Sequence, residues 1–245
     1  MIHANRTNAN EPSHDDPLPD CRTLFRSDAK LRRELDAFAG LCAAARAAGR
    51  DPEKLSNGLL HALVFEARNA AGSVGKASLC ALGRKGRVRR DLSNEDVRAC
   101  VASLLAFAAK GGELTEREFA AREAEFSAAV GGPAPEVFRR LVAAAFPAKA
   151  VAVPSDADFA ALLRGLAAAG RAEPLPAGAT WLARCRAVHD AIRAEWAWPD
   201  AAARSALARR LAAEAVAADR AAAEKAAKAA EEAALFAEET SAAAE

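Results

Sequence analysis

The chain has 245 residues, with 34 Lys plus Arg against 33 Asp plus Glu and a formal net charge of +1, so no long-range field draws the whole molecule toward a polyanion, and any nucleic-acid contact has to be local. Hydrophobic residues make up 52%, yet Ala dominates them, and ten Phe, three Trp, one Met and no Tyr leave the packing to stripes of Leu, Val and Phe. The length suits one large domain or two small ones. Cys21, Cys42, Cys80, Cys100 and Cys185 are scattered through a chain too long to need disulfide staples, so they read as free thiols of a reducing compartment: the cytoplasm, or the nucleus if the cell has one.

The first twenty residues set Arg6 against Glu11, Asp15, Asp16 and Asp20 without an apolar run. That pattern is neither a signal-peptide core nor an acid-poor transit peptide, and no apolar stretch reaches the ~18 residues that cross a bilayer. The expectation is a protein that is neither exported nor integral to a membrane. Pro12, Pro17 and Pro19 in polar surroundings predict a disordered N-terminal tail over residues 1–22, in which His3 and His14 are incidental.

Ser27 reads as the N-cap of a first helix carrying Leu31, Leu35, Phe38, Leu41 and Cys42, with Gly49 as its left-handed stop. Asp51-Pro52 then reads as a cap and first position, opening a helix with Leu55, Leu59, Leu63 and Val64 that runs to Gly72. Gly72, Gly75, Gly83 and Gly86 punctuate a stretch with one short apolar patch, Leu79 to Leu82. Ser93 with Asp96 and Thr115 with Glu118 resemble capping boxes. The first leads into Val97, Cys100, Val101, Leu104 and Ala108 and stops at Gly111 and Gly112; the second leads into Phe119, Phe126 and Val130. Pro135 starts a helix with Val137, Phe138, Leu141 and Val142 that Pro147 ends.

Val151 to Val153 is a β-branched run too short for a sheet and without a partner strand, and it marks a candidate subdivision near 147–154. Ser155 caps a helix with Phe159, Leu162, Leu163 and Leu166. Thr180 caps one whose face carries Trp181, Cys185, Val188, Ile192 and Trp196, ended or kinked by Pro199. From Asp200 onward 23 of 46 residues are Ala, which favours helix strongly, but beyond Leu207, Leu211 and Val216 no apolar seam continues until Leu235 and Phe236. A projecting or fraying helix over residues 199–245 is expected. The fold class is therefore all-α: a bundle of amphipathic helical hairpins over residues 23–198 with a long Ala-rich C-terminal helix.

The segment GRKGRVRR carries Arg84, Lys85, Arg87, Arg89 and Arg90 without an acid, enough cations for several phosphate contacts. No aromatic lies between Phe65 and Phe107 to stack a base, and the bland reading is a solvated loop whose cations offset Asp91, Glu95 and Asp96. AGSVGKAS, residues 71–78, imitates a phosphate loop, but Ala70 and Ala77 stand where that motif needs Gly and Ser or Thr. His189-Asp190 is similar to the paired ligands of helical HD-type metal hydrolases; it would need His61 from another helix and Asp200 or Asp219 to complete a site. Cys185 and His189, four apart on one helix, and Asp156 with Asp158 lack further ligands, and the two carboxylates suit a helix N-terminus. No catalytic, cofactor-binding or metal-ligating residue is assigned and no cofactor is expected. Trp181, Trp196 and Trp198 are candidates for an aromatic docking face, with core filling as the alternative.

Residues 92–146, DLSNEDVRACVASLLAFAAKGGELTEREFAAREAEF and then PAPEVFRRLVAAAF, resemble the helical N-terminal part of COMM-domain proteins, adaptors in endosomal cargo recycling. Asp96-Val97-Arg98, Val101-Ala102 and Phe119 carry the likeness, while the β-rich module of that family has no counterpart after Phe146. The resemblance implies assembly through helical surfaces and no catalytic residue. The leading expectation is a non-enzymatic helical adaptor or scaffold whose partners are proteins; contact with nucleic acid through residues 84–90 is the alternative, and an HD-like hydrolase the remote one. The sequence does not fix the oligomeric state.

Overall fold

The computed structural model describes residues 18–65, 95–153, 155–197 and 200–242. The glycine-punctuated stretch with its phosphate-loop imitation, the basic segment 84–90, Ser93, Cys80, Trp198, Pro199 and residues 1–17 lie outside the described residues.

Asp20 and Asp28 set the first two helices. The Asp20 carboxylate accepts from the backbone N–H groups of Arg22 and Thr23 at 3.0 and 2.9 Å, and that of Asp28 from Lys30 and Leu31 at 2.9 and 3.0 Å, which answers donors that a helix start leaves without partners. Two helices begin where one was expected: α1 (Cys21–Ser27) and α2 (Ala29–Arg50). Ser27 is not a cap; its hydroxyl donates back to the Thr23 carbonyl at 2.7 Å. Leu18 and Cys21 are buried, so the end of the expected tail belongs to the fold. Leu18 lies against Gly165, where a Cβ would come within 2.8 Å of it.

Gly49 is not a left-handed stop either. It lies inside α2, which Asp51 closes, and a Cβ there would sit 2.1 Å from the carbonyl oxygen of Leu105 and 2.8 Å from the Ala109 Cβ. The backbone of α2 thus runs directly against that of α4 (Glu95–Ala109), a contact only glycine allows. Asp51 and Pro52 open a 3-10 turn, Pro52–Lys54, rather than a full helix, and Ser56 caps the restart, α3 (Asn57–Leu60), which continues as a π-turn over His61–Phe65. Arg140 donates Nε and Nη2 to the Leu63 carbonyl at 3.1 and 2.7 Å from a fully buried position, so a guanidinium answers a carbonyl of that widened turn.

The remaining starts follow the sequence. Thr115, Ser155 and Thr180 accept from the N–H three residues on, at 3.2, 3.4 and 3.2 Å, and open α5 (Glu116–Ala129), α7 (Asp156–Ala168) and α8 (Trp181–Glu195). Pro135 occupies the first turn of α6 (Pro135–Ala145). Asp200 caps α9 (Ala201–Ala242) through the Ala202 and Ala203 N–H groups at 2.8 and 3.3 Å. No strand occurs among the described residues, and the fold is all-α.

Helix α2 is the hub: it packs against α4, α9 and α6, while α5 and α6 cover α4, and α7 and α8 pack on α9. Phe119 joins the parts, its ring 5.3 Å from Phe138 and 5.2 Å from Trp181. The Ala-rich helix is not wholly an extension. Ala202, Ala203, Ala206, Leu207, Ala208, Leu211, Ala212 and Ala215 are buried, and the small side chains bring α9 close to its neighbours. From Asp219 to Ala233 every residue is exposed. Replacing Gly49 with Ala is expected to destabilise the fold by about 1–3 kcal/mol through forced separation of α2 and α4. Gly40→Ala, at an exposed position of the same helix with nothing within 4 Å of the new methyl, should stabilise it by about 0.5–1 kcal/mol; urea denaturation of both variants checks the pair.

Candidate functional site

The β-branched run Val151 to Val153 is a buried crossover between α6 and α7. Ala150, Val151, Ala152 and Val153 are all fully buried, and four backbone N–H groups in that setting each need a partner. The Ala150 N–H bonds to the Phe146 carbonyl at 2.9 Å, the Ala152 N–H to the Ser205 carbonyl at 3.0 Å and the Val153 N–H to the Val151 carbonyl at 2.8 Å. The Ala150 carbonyl accepts from the Ser205 hydroxyl at 2.9 Å and from His189 Nε2 at 3.3 Å. Trp181 Nε1 donates to the Val153 carbonyl at 3.4 Å.

These contacts assign His189 its work. A carbonyl can only accept, so the bond to Ala150 places the proton on Nε2. Burial pushes the imidazole down to about 4, against the Ala150 hydrogen bond and with help from the Arg204 and Arg193 charges, so the ring is neutral at pH 7. Its Nδ1 is buried without a hydrogen-bond partner. The two carboxylates offered to complete an HD-type set are occupied elsewhere: Asp200 caps α9, and Asp219 accepts from Arg164 at 2.6 Å. Among the described residues no group of three or more His, Cys, Asp or Glu side chains is placed to hold a metal ion.

The His189 ring lies in the wall of a cleft of about 380 Å³ between the α4–α5 turn, the turn after α6 and α8, ringed by Glu113, Thr115, Lys149, Arg186, Asp190 and Arg193. The charges are of both signs and stand in solvent; Arg193 and Asp190 approach to 3.8 Å. The desolvated base in the cleft wall is His189, whose Nε2 is committed to the Ala150 carbonyl. Asp156, offered with Asp158 as a ligand pair, holds Arg139 at 3.0 Å and Arg184 at 3.2 Å, joining α6 and α8 to the start of α7.

The cysteines are no better placed for nucleophilic chemistry. Cys21, Cys42, Cys100 and Cys185 are free, and burial pushes Cys42 and Cys185 up to about 12 and Cys21 to about 11, so they stay thiols near neutrality. Cys21 belongs to a clasp in which Arg171 reaches the Glu195 carboxylate, the Cys21 sulfur at 3.3 Å and the Pro19 carbonyl at 3.2 Å, while Glu195 takes the Cys21 N–H. It ties the start of α1 to the end of α8.

Of the candidate aromatic face, Trp198 lies outside the described residues. Trp181 is buried and stacks on Phe119, and Trp196 is half-buried with its ring 5.2 Å from Phe25; both fill the interior that the sequence left as the alternative. The outer part of α9, where the sequence shows no continuing apolar seam, is exposed helix from Asp219 to Ala233. No helix among the described residues is long and apolar enough to cross a membrane. No family model, curated protein or solved structure matches the chain.

The neutral His189 predicts a pH dependence. The unfolded ring takes up its proton near 6.5 and the folded ring only near 4, so between those values the unfolded chain binds more protons and stability falls as pH falls. The loss approaches about 3 kcal/mol below pH 4 and is absent above pH 7. His189→Gln keeps an N–H for Ala150 and removes the titration, so its urea midpoint should lose most of the wild-type decline between pH 7 and 5.

Proposed function

We propose that this protein is a non-enzymatic helical adaptor or scaffold, acting in the cytoplasm, that engages partner proteins through an exposed helix. The observation that carries the reading is the outer part of α9. Asp219 to Ala233 is exposed helix continuous with a root in which Ala202, Ala206, Leu207, Leu211 and Ala215 are buried. An isolated Ala-rich helix of this length is marginal in water because nucleation is unfavourable. Here the root supplies the nucleus, and the arm stands ready-folded, so a partner does not have to meet the ordering cost.

The partner chemistry that fits is another α-helix. Small side chains allow two helix backbones to approach closely, and the charged residues interspersed with them give such a contact register and direction. The resemblance of residues 92–146 to the helical part of COMM-domain adaptors supports the same role, as do the buried cysteine thiols for a reducing compartment. Phosphate contact through Arg84, Lys85, Arg87, Arg89 and Arg90 remains the sequence-based alternative.

Site-specific photo-crosslinking in cells separates the two. A photoreactive residue at Ala223 or Ala230 is expected to give discrete protein adducts on irradiation, while the same residue at exposed Asp36 on the bundle gives none. Adducts confined to nucleic acid, or none at either arm position, would overturn the adaptor reading.

A further inference from the structure

We propose that the arm of α9 pairs with the arm of a second copy of this chain, antiparallel, to make a dimer whose two bundles lie at opposite ends of a two-helix bridge. This inference rests on the arm being a docking helix and names its partner. The charge order along the exposed arm points to this arrangement.

Charge is segregated along the arm. From Asp219 to Lys228 there are three cations, Arg220, Lys225 and Lys228, against Asp219 and Glu224. Beyond Lys228 the sequence has no cation, while Glu231, Glu232, Glu238 and Glu239 follow. A parallel pair would set one acidic half along the other and repel. An antiparallel pair centred near Ala230 sets each acidic half along a basic half, with Lys228 of one copy level with Glu231 and Glu232 of the other and Arg220 level with Glu239. Opposite charges so placed fix direction and register more than they add affinity.

In that register the overlap runs along the exposed shaft, outside the packed root of α9, and requires no rearrangement of the bundle. The shaft's Ala-rich faces at Ala222, Ala226, Ala229 and Ala233, spaced four, three and four residues apart, permit close contact but bury little apolar area per residue, so the dimer is weak and salt-sensitive.

Sedimentation velocity of the full chain across a range of concentrations and at low and high salt tests this, with two variants beside the wild type. K225E/K228E makes both halves of the arm acidic, and E231K/E232K removes the acidic centre. Wild type is expected to dimerise reversibly, more weakly at high salt. Each variant alone should lose self-association by about tenfold or more, and an equimolar mixture of the two should recover it, because every exchanged charge then meets its opposite. A wild type that stays monomeric at all concentrations, variants that dimerise as wild type does, or a mixture that fails to recover would each overturn the pairing. The adaptor reading fails separately: crosslinks from Ala223 and Ala230 to other proteins, with a monomeric wild type, sink the homodimer and leave the adaptor, whereas the absence of any protein adduct sinks both.

Discussion

Four buried backbone residues, Ala150 to Val153, set the terms for the rest of the molecule. A chain that passes through an apolar interior in extended form cannot satisfy its own N–H and C=O groups as a helix does, and an unpaired buried amide costs on the order of 1–3 kcal/mol. The crossover is answered in part locally, Ala150 N–H by Phe146 and Val153 N–H by Val151, and otherwise from outside: by Ser205 of α9 through both its carbonyl and its hydroxyl, and by His189 and Trp181 of α8 through side chains. Those contacts fix where α8 and α9 lie relative to α6. Burial beside the crossover accounts for the neutral imidazole at position 189 and the high-pKa thiol at position 185.

The close crossing at Gly49 does for α2 and α4 what the crossover does for the other half. Contact of backbone with backbone replaces side-chain interdigitation, and α2 is then free to present its remaining faces to α6 and α9. Small residues serve the same end in the root of α9, where alanines are buried among larger neighbours. A chain with few bulky hydrophobics thus reaches a packed interior by approach distance, with Phe138 and Trp181 against Phe119. The outer part of α9 leaves the bundle with the same composition and nothing against it, and that continuity turns a buried helix into an arm.

Helix content, and most of the starts, were legible because caps act locally: Thr115, Ser155 and Thr180 meet N–H groups three residues away, and no tertiary information is needed to place them. The misreadings share one cause, a residue whose role depends on a distant neighbour. Gly49 looks like a stop until Leu105 is beside it, and Ser27 loses the cap to an Asp one position on. Val151 to Val153 shows no partner in sequence because its partners come from residues 181 to 205, and the sequence assigns His189 no role because the carbonyl it binds lies 39 residues away. The aromatic residues offered as a docking face were ambiguous in sequence for the same reason. The arm was half legible: Ala content announces helix, but only contacts divide α9 into root and exposed shaft.

The claim on which the account turns is that α9 is one helix with a core root and a solvent-exposed shaft. Hydrogen–deuterium exchange resolved along residues 201–233, at a concentration where the chain is monomeric, tests it most directly. The account predicts that amides from about Arg204 to Ala215 exchange only as the whole fold opens, while those from about Asp219 to Ala233 exchange by local fraying, with the boundary near Val216. Equal, fast exchange across the whole span would contradict it, because a helix loose from its first turn could neither close the interior around the crossover nor hold an arm in place.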